Sequence, residues 1–278
     1  MAYQFQLVGQ GFHRIRIGST GEGGPGGGGA AAPAHQTGAA KILHSRPAFD
    51  RDAHYLRTMK LFEACAREFP AEIQWATDLH ERLDPRQAVR FCKEAEKFPL
   101  FFLEDPLSPE DLAYFRQIRE QCTTPIAMGE LFNSPHEWQP LIEERLIDYI
   151  RCNVSQVGGF TPARKIALLA ENYGVRTAWH APGDLSPVGH MANVTLDVVA
   201  YNFGIQEWSP FNPKVLEVFQ GCAEMKDAYL WVSEKPGWGV EVDEKAAAKF
   251  PFNDGGGRSG LNGGWGDLRL ADGTVIKQ

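Results

Sequence analysis

Residues 73–132 read IQWATDLHERLDPRQAVRFCKEAEKFPLFFLEDPLSPEDLAYFRQIREQCTTPIAMGELF. Three short apolar runs stand out: IQWATDL (73–79), LFFLEDP (100–106) and PIAMGELF (125–132). The stretches between them carry apolar residues at helical spacing. Each opens on a side-chain cap followed by proline, Asp84-Pro85 in one and Ser108-Pro109-Glu110 in the other, a pair suited to a helix first turn. Strands apolar on both faces, alternating with helices, mean parallel βα units.

The same beat continues in both directions. Upstream, 51–69 is helical in pattern and FHRIRIG (12–18) is a strand. Downstream come a helix over 135–146, the strand DYIRCNV (148–154), and a helix from Thr161-Pro162 to Gly174. The strands VRTAWHA (175–181) and GIQEWS (204–209) complete the series. Repeated units of about 25 residues predict an α/β fold, a (β/α)7-8 barrel of the TIM type, with functional residues where strands end. A doubly wound sheet is the competitor, but the nucleotide fingerprint it usually carries after its first strand is absent. Seven strands are countable, and residues 1–11 offer only a helix tail, so the chain reads as a fragment whose first barrel strand is missing. The expected organisation is a barrel domain over 1–250 and a tail over 251–278 packing on it. Within the barrel, the Gly-rich tract 18–38 reads as a flexible loop, since it lacks a GxxxxGK[ST] pattern. DEKAAAKFPF (243–252) reads as a short surface helix, and Trp231, Trp238 and Trp265 as packing or interface residues.

Composition narrows the function. The net charge is -7 with 23% charged residues and no long Lys/Arg run, which argues against nucleic acid or an anionic membrane surface as partner. The five cysteines form no CxxC pair and read as free thiols of a reducing compartment. With no signal peptide and no membrane-spanning run, a cytoplasmic protein is expected.

Three acids end three successive strands: Asp78 in WATDLH, Glu104 in FFLEDP and Glu130 in AMGELF, each 26 residues from the next. One βα unit separates each pair, so all three converge on one mouth of the barrel. Carboxylates crowded there repel unless a cation holds them, and oxygen-only ligation points to Mg2+. His80 lies two residues past Asp78 and faces the same side of an extended strand end.

The run DLHERLDP, FFLEDP, TTPIAMGELFNS, LIDYIRCNVSQVGG, His180 through DLSP, and NFGIQEW resembles the enolase superfamily, in particular its mannonate dehydratase branch. The likeness extends from residue 50 to about 250. It implies a Mg2+-dependent dehydration of a sugar acid, D-gluconate or D-mannonate, to 2-keto-3-deoxy-gluconate. The cation would stabilise the ene-diolate formed when the proton alpha to the carboxylate leaves. The resemblance casts His80 as the general acid on the departing 3-hydroxyl and Arg16 as the partner of the base. Arg151, His180, Asp184 and Glu207, together with Glu130, fall on substrate-binding positions; an Arg151–Glu130 ion pair is the structural alternative. The family's base is a Tyr after the second strand, yet no Tyr occurs between Tyr3 and Tyr55. Pro182 stands where efficient mannonate members tend to carry Ala, which leans the expectation toward gluconate. The family's amino-terminal capping domain has no counterpart here, and a homo-oligomer is expected. The rival readings are an epimerase or racemase of the same superfamily, and a sugar-acid-binding protein without catalysis.

Overall fold

The computed structural model describes residues 8, 9, 11–18, 49–183, 185–251, 268–270 and 274–276. Asp184, Trp265, the Gly-rich tract beyond Gly18 and most of the 251–278 tail lie outside these residues.

Six strands form one parallel sheet in chain order. They are β1 (Arg14–Ile17), β2 (Gln74–Asp78), β3 (Leu100–Glu104), β4 (Ile126–Met128), β5 (Tyr149–Ile150) and β6 (Arg176–Thr177). Helices follow the strands: α1 (Arg51–Glu68), α2 (Pro85–Ala95), α3 (Leu112–Gln121), α4 (Pro135–Glu143), α5 (Phe160–Tyr173) and α6 (Pro187–Val199). The chain thus belongs to the α/β class with the expected βα order. Two strand expectations need correction. VRTAWHA supplies only Arg176–Thr177 as strand, and GIQEWS is not a strand; its place beside β6 is taken by a single parallel bridge, Thr177 to Phe203. Gly204 explains the close approach, because a Cβ there would lie 2.7 Å from Thr177 O and 2.8 Å from the Tyr149 ring. Helix α6 is the element the sequence pattern did not give.

The helix starts follow their caps. Asp84 and Ser134 each form a capping box, with Gln87 and Glu137 respectively, and a proline occupies the first turn. Asp50 accepts the Ala53 amide at the head of α1. Helix α5 ends on Gly174 in the left-handed region, φ 77°, where glycine carries no Cβ penalty.

Between sheet and helices lies the main core, including Ile15, Ile17, Trp75, Leu103, Ile126, Met128 and Ile150 from the strands. Phe91 of α2 meets Tyr55 and Phe62 of α1 edge-on, with centroids 5.0 and 5.9 Å apart, the arrangement aromatic quadrupoles favour. A second, smaller core of Ala76, Phe101, Phe102, Ala127, Tyr149 and Ala178 fills the other face of the sheet. Small and large residues alternate across it, as in a filled barrel interior. Trp75 and Ala76 therefore face opposite cores, and this period of two sets which residues reach the site.

Beyond the sheet, the 219–250 region carries two short hairpin pairings and a helix of one turn, Glu244–Ala247, with Ala246 buried. Trp231 and Trp238 are 64% and 39% exposed, so neither packs into the core. No helix among the described residues is long and apolar enough to cross a membrane.

His54 of α1 is buried beside the Phe49 ring, and burial followed by the nearby Arg82 and Arg57 guanidiniums pushes its pKa down to about 4. Its folded pKa lies below the unfolded value. The native state therefore refuses a proton that the unfolded chain accepts. Stability from this group is full above about pH 6.5 and is lost as pH falls toward 4, by on the order of 3 kcal/mol. Urea denaturation across pH 4–7 should show a shallower pH slope for His54→Phe than for the parent chain; parallel slopes would refute the assignment.

Candidate metal centre

Alternation along the short strands decides what the inner face presents. Strand β1 contributes Arg14 and Arg16, β2 contributes Ala76 and Asp78, and β3 contributes Phe102 and Glu104. Arg151 and His180 follow β5 and β6. The Arg14 guanidinium sits 4.7 Å from the centroid of Phe101, and that of Arg151 5.6 Å from Phe102, so the aromatic layer forms the floor. Asp78 and Glu104 are direct partners in the β2–β3 register.

Glu130 reaches the site by another route. Gly129, at φ 141°, turns the chain so closely that a Cβ would lie 2.8 Å from Cys152 N and 2.9 Å from Arg151 C. Only glycine fits so tight a backbone approach.

Two clusters of potential ligand atoms result, each within 4.8 Å: Asp78, His80 and Glu130 in one, Glu104, Asp105 and Glu130 in the other. Glu130 belongs to both, so the three acids of the strand-end series meet through it. Asp105 is the residue the sequence reading missed. The second acid of LEDP was its one visible signal, and a regular strand would have pointed it away from Glu104. Its left-handed backbone, φ 41°, breaks that alternation.

The loops are cross-tied around Asp105. Its amide donates to Ala127 O at 3.0 Å and its carbonyl accepts the Glu81 amide at 2.8 Å. Its Oδ1 accepts the Gly129 amide at 3.3 Å. His80 and Glu81 also adopt positive φ, 50° and 56°, which folds the imidazole back onto Asp78. Asp78 Oδ1 accepts the His80 amide at 2.7 Å, and His80 Nε2 stands 3.0 Å from Asp78 Oδ2.

Cations divide the remaining charge. Arg16 pairs with Asp78 and, at 3.1 Å, with Glu207. Arg151 donates from Nε to Glu104 at 2.5 Å, from Nη1 to Ala178 O at 3.1 Å and from Nη2 to Glu207 at 2.9 Å. The Ala181 amide donates to Glu207 as well, at 2.8 Å. Arg151 and Glu207, which the resemblance puts at substrate-binding positions, are ion-paired with each other, and Arg151 also pairs with Glu104 rather than with Glu130. His180 Nε2, in the loop after β6, lies 3.2 Å from Glu130 Oε2.

Acidities follow from burial first. Burial pushes the Asp105 carboxyl well above the usual range, and Glu130, Asp78 and Glu104 add to it. Burial acts the same way on Glu207, but Arg151, Arg16 and His180 outweigh it and hold that carboxyl well below the usual range. For His180, burial disfavours the charged ring, yet Glu130 and Glu207 prevail and raise its pKa.

The residues present fit a divalent ion. The donors are carboxylate oxygens with flanking imidazoles, suited to a hard cation. Asp105 Oδ2 is buried without a hydrogen-bond partner among the described residues. Members of the enolase superfamily use Mg2+.

Replacing Arg151 by Met should lower stability by on the order of 3–5 kcal/mol, because Glu104 and Glu207 keep their buried charge and lose the guanidinium between them. Lys, a point charge that cannot serve both acids as a fork does, should recover only part. Chemical denaturation of the two variants measures this, and a loss below about 1 kcal/mol for Met would contradict the pairing.

Comparison with known proteins places the fold in a family. The family described as enolase C-terminal domain-like matches residues 6–246. The D-galactonate dehydratase family member RspA of Pantoea ananatis (strain LMG 20103) is 47% identical over 227 residues, covering 82% of this chain and 53% of the relative. A D-galactonate dehydratase family member of Enterococcus gallinarum (strain EG2) is 46% identical over 228 residues, 82% of this chain and 55% of its own length. The chain thus spans about half the length of these curated relatives. Among solved structures, an enolase from Pantoea ananatis with bound D-gluconate and Mg superposes with a TM-score of 0.85 at 40% identity, covering 99% of this chain and 67% of that one. With the family match spanning most of the sequence, the chain belongs to the enolase C-terminal domain-like family of the enolase superfamily.

Proposed function

We propose that the chain is a Mg2+-dependent sugar-acid dehydratase that converts D-gluconate, D-mannonate or both to 2-keto-3-deoxy-gluconate. The observation that carries this reading is the convergence of Asp78, Glu104 and Glu130, with His80 and His180, on one end of a parallel sheet. The solved relative with D-gluconate and Mg bound supports the substrate class.

Asp78, Glu104 and Glu130 would hold the cation. When bound, it supplies positive charge against a substrate carboxylate and so makes the adjacent C–H more acidic. Arg151 keeps Glu104 and Glu207 in place from within the barrel. Arg16, 39% exposed at its side chain, retains donors for an anionic substrate above Asp78. His80, partly exposed and anchored on Asp78, delivers a proton from Nε2 to the leaving 3-hydroxyl. The electron balance is closed: a base takes the C2 proton and that C–H pair becomes the C2–C3 double bond. The C3–O bond breaks, and the oxygen leaves as water with the proton from His80. The enol then takes up a proton at C3 and releases the proton of its 2-hydroxyl, giving the 2-keto-3-deoxy acid. His180 beside Glu130 orients the carboxylate end, and Asp184 is assigned to the same substrate contact through the resemblance alone.

One observation favours a second reading. The absence of Tyr between Tyr3 and Tyr55 leaves the base of the resembled family without a counterpart, which suits a barrel that binds a sugar acid without turning it over.

A keto-acid product assay with D-gluconate and D-mannonate, with and without Mg2+, separates the two. The dehydratase reading expects Mg2+-dependent product that falls at least about 100-fold in His80→Asn and vanishes in Glu104→Gln. Saturable binding of either acid with no product at any Mg2+ concentration would replace it with the binding reading.

A further inference from the structure

We propose that Asp105 is a fourth carboxylate of the cation site, fastening the Glu130 turn with Oδ1 and facing the ion with Oδ2, directly or through one bound water. This rests on the metal-centre reading above and adds a residue to it.

The case begins with which acids are already paired. Asp78 has His80 and Arg16, Glu104 has Arg151, Glu130 has His180, and Glu207 has both arginines. Asp105 is 1% exposed, and its side chain receives one amide, Gly129 N–H at 3.3 Å, on Oδ1. Oδ2 is buried without a donor among the described residues. A buried carboxylate oxygen in that condition is costly unless something positive faces it. Its close company is Glu104 and Glu130, each offering an oxygen within 4.8 Å. A proton on Asp105 would relieve one pair of these oxygens. A divalent ion relieves all three, and Mg2+ characteristically keeps bound waters that a nearby carboxylate can hold.

The position also explains why the residue must be an acid rather than a polar linker. Asn would accept the Gly129 amide equally well and tolerates the left-handed backbone. Only the charge distinguishes Asp there.

The experiment follows from that contrast. Mn2+ affinity of the full 278-residue chain is measured by EPR titration of free Mn2+, alongside melting temperature with and without Mn2+. Asp105→Asn should weaken Mn2+ binding about tenfold or more. Without metal it should melt no lower than the parent, because the Asn oxygen keeps the Gly129 amide, and Mn2+ should raise its Tm less. Asp197→Asn, an acid on α6 that belongs to neither ligand cluster, should leave the Mn2+ affinity unchanged. An Asp105→Asn chain with parental affinity would overturn the proposal. So would one that melts lower without metal but gains as much from Mn2+. If the Asn variant fails to fold, Asp105→Ser is titrated instead, and parental affinity there overturns the proposal equally. A parent chain that binds no Mn2+ would sink the metal-centre reading itself, a result distinguishable from the other two.

Discussion

Like charges held a few ångströms apart inside a protein dominate their surroundings. At about 4 Å two carboxylates repel by roughly 4 kcal/mol even with an effective dielectric constant near 20. This chain brings oxygens of Glu104, Asp105 and Glu130 within 4.8 Å of one another at the end of one sheet, and Asp78 within the same distance of Glu130. Every surrounding feature can be understood as a means of tolerating that crowd. The parallel register sets Asp78 directly against Glu104. The glycine at 129 lets a third strand end come close enough to add Glu130. Arg151 is buried among them, at the cost of its own hydration, and Arg16 reaches in from a partly exposed position on β1.

The arginines act as ties as well as counterions. Arg16 comes from β1 and Arg151 follows β5, yet both end on Glu207. A carboxylate beyond the last regular strand thereby links the two sides of the barrel interior through side chains. That compensates for a sheet whose seventh position is a single bridge rather than a ladder. The stability of the β6 end and the chemistry of the mouth share the same hydrogen bonds.

Much of this was legible from residue types and spacing. The apolar runs, their proline-marked helices and the 26-residue beat of the acids gave the βα order and the three strand ends, because all are local signals. Three things were not. Helix α6 was missed because its sequence, PVGHMANVTLDVV, has no clean polar stripe, and seven of its residues are buried. The strand length at VRTAWHA was overestimated because apolar runs mark burial, not pairing, and Ala178, Trp179 and Ala181 are buried in a loop. The Arg151–Glu207 pair lies 56 positions apart, beyond any periodicity, so nothing local in the sequence marks the two as partners. Asp105 was hidden by the same alternation rule that located Glu104, since the rule fails where φ changes sign.

The left-handed conformations at His80, Glu81 and Asp105 have a consequence for how the protein can change. None of the three is glycine, and each holds a backbone geometry that costs on the order of 1 kcal/mol for a side-chain-bearing residue. Selection for robustness alone would remove these residues first, Glu81 above all, in favour of glycine or asparagine. Their side chains sit where the two cross-tied loops meet, so such a gain would loosen the aim of the imidazole and of the ligand turn.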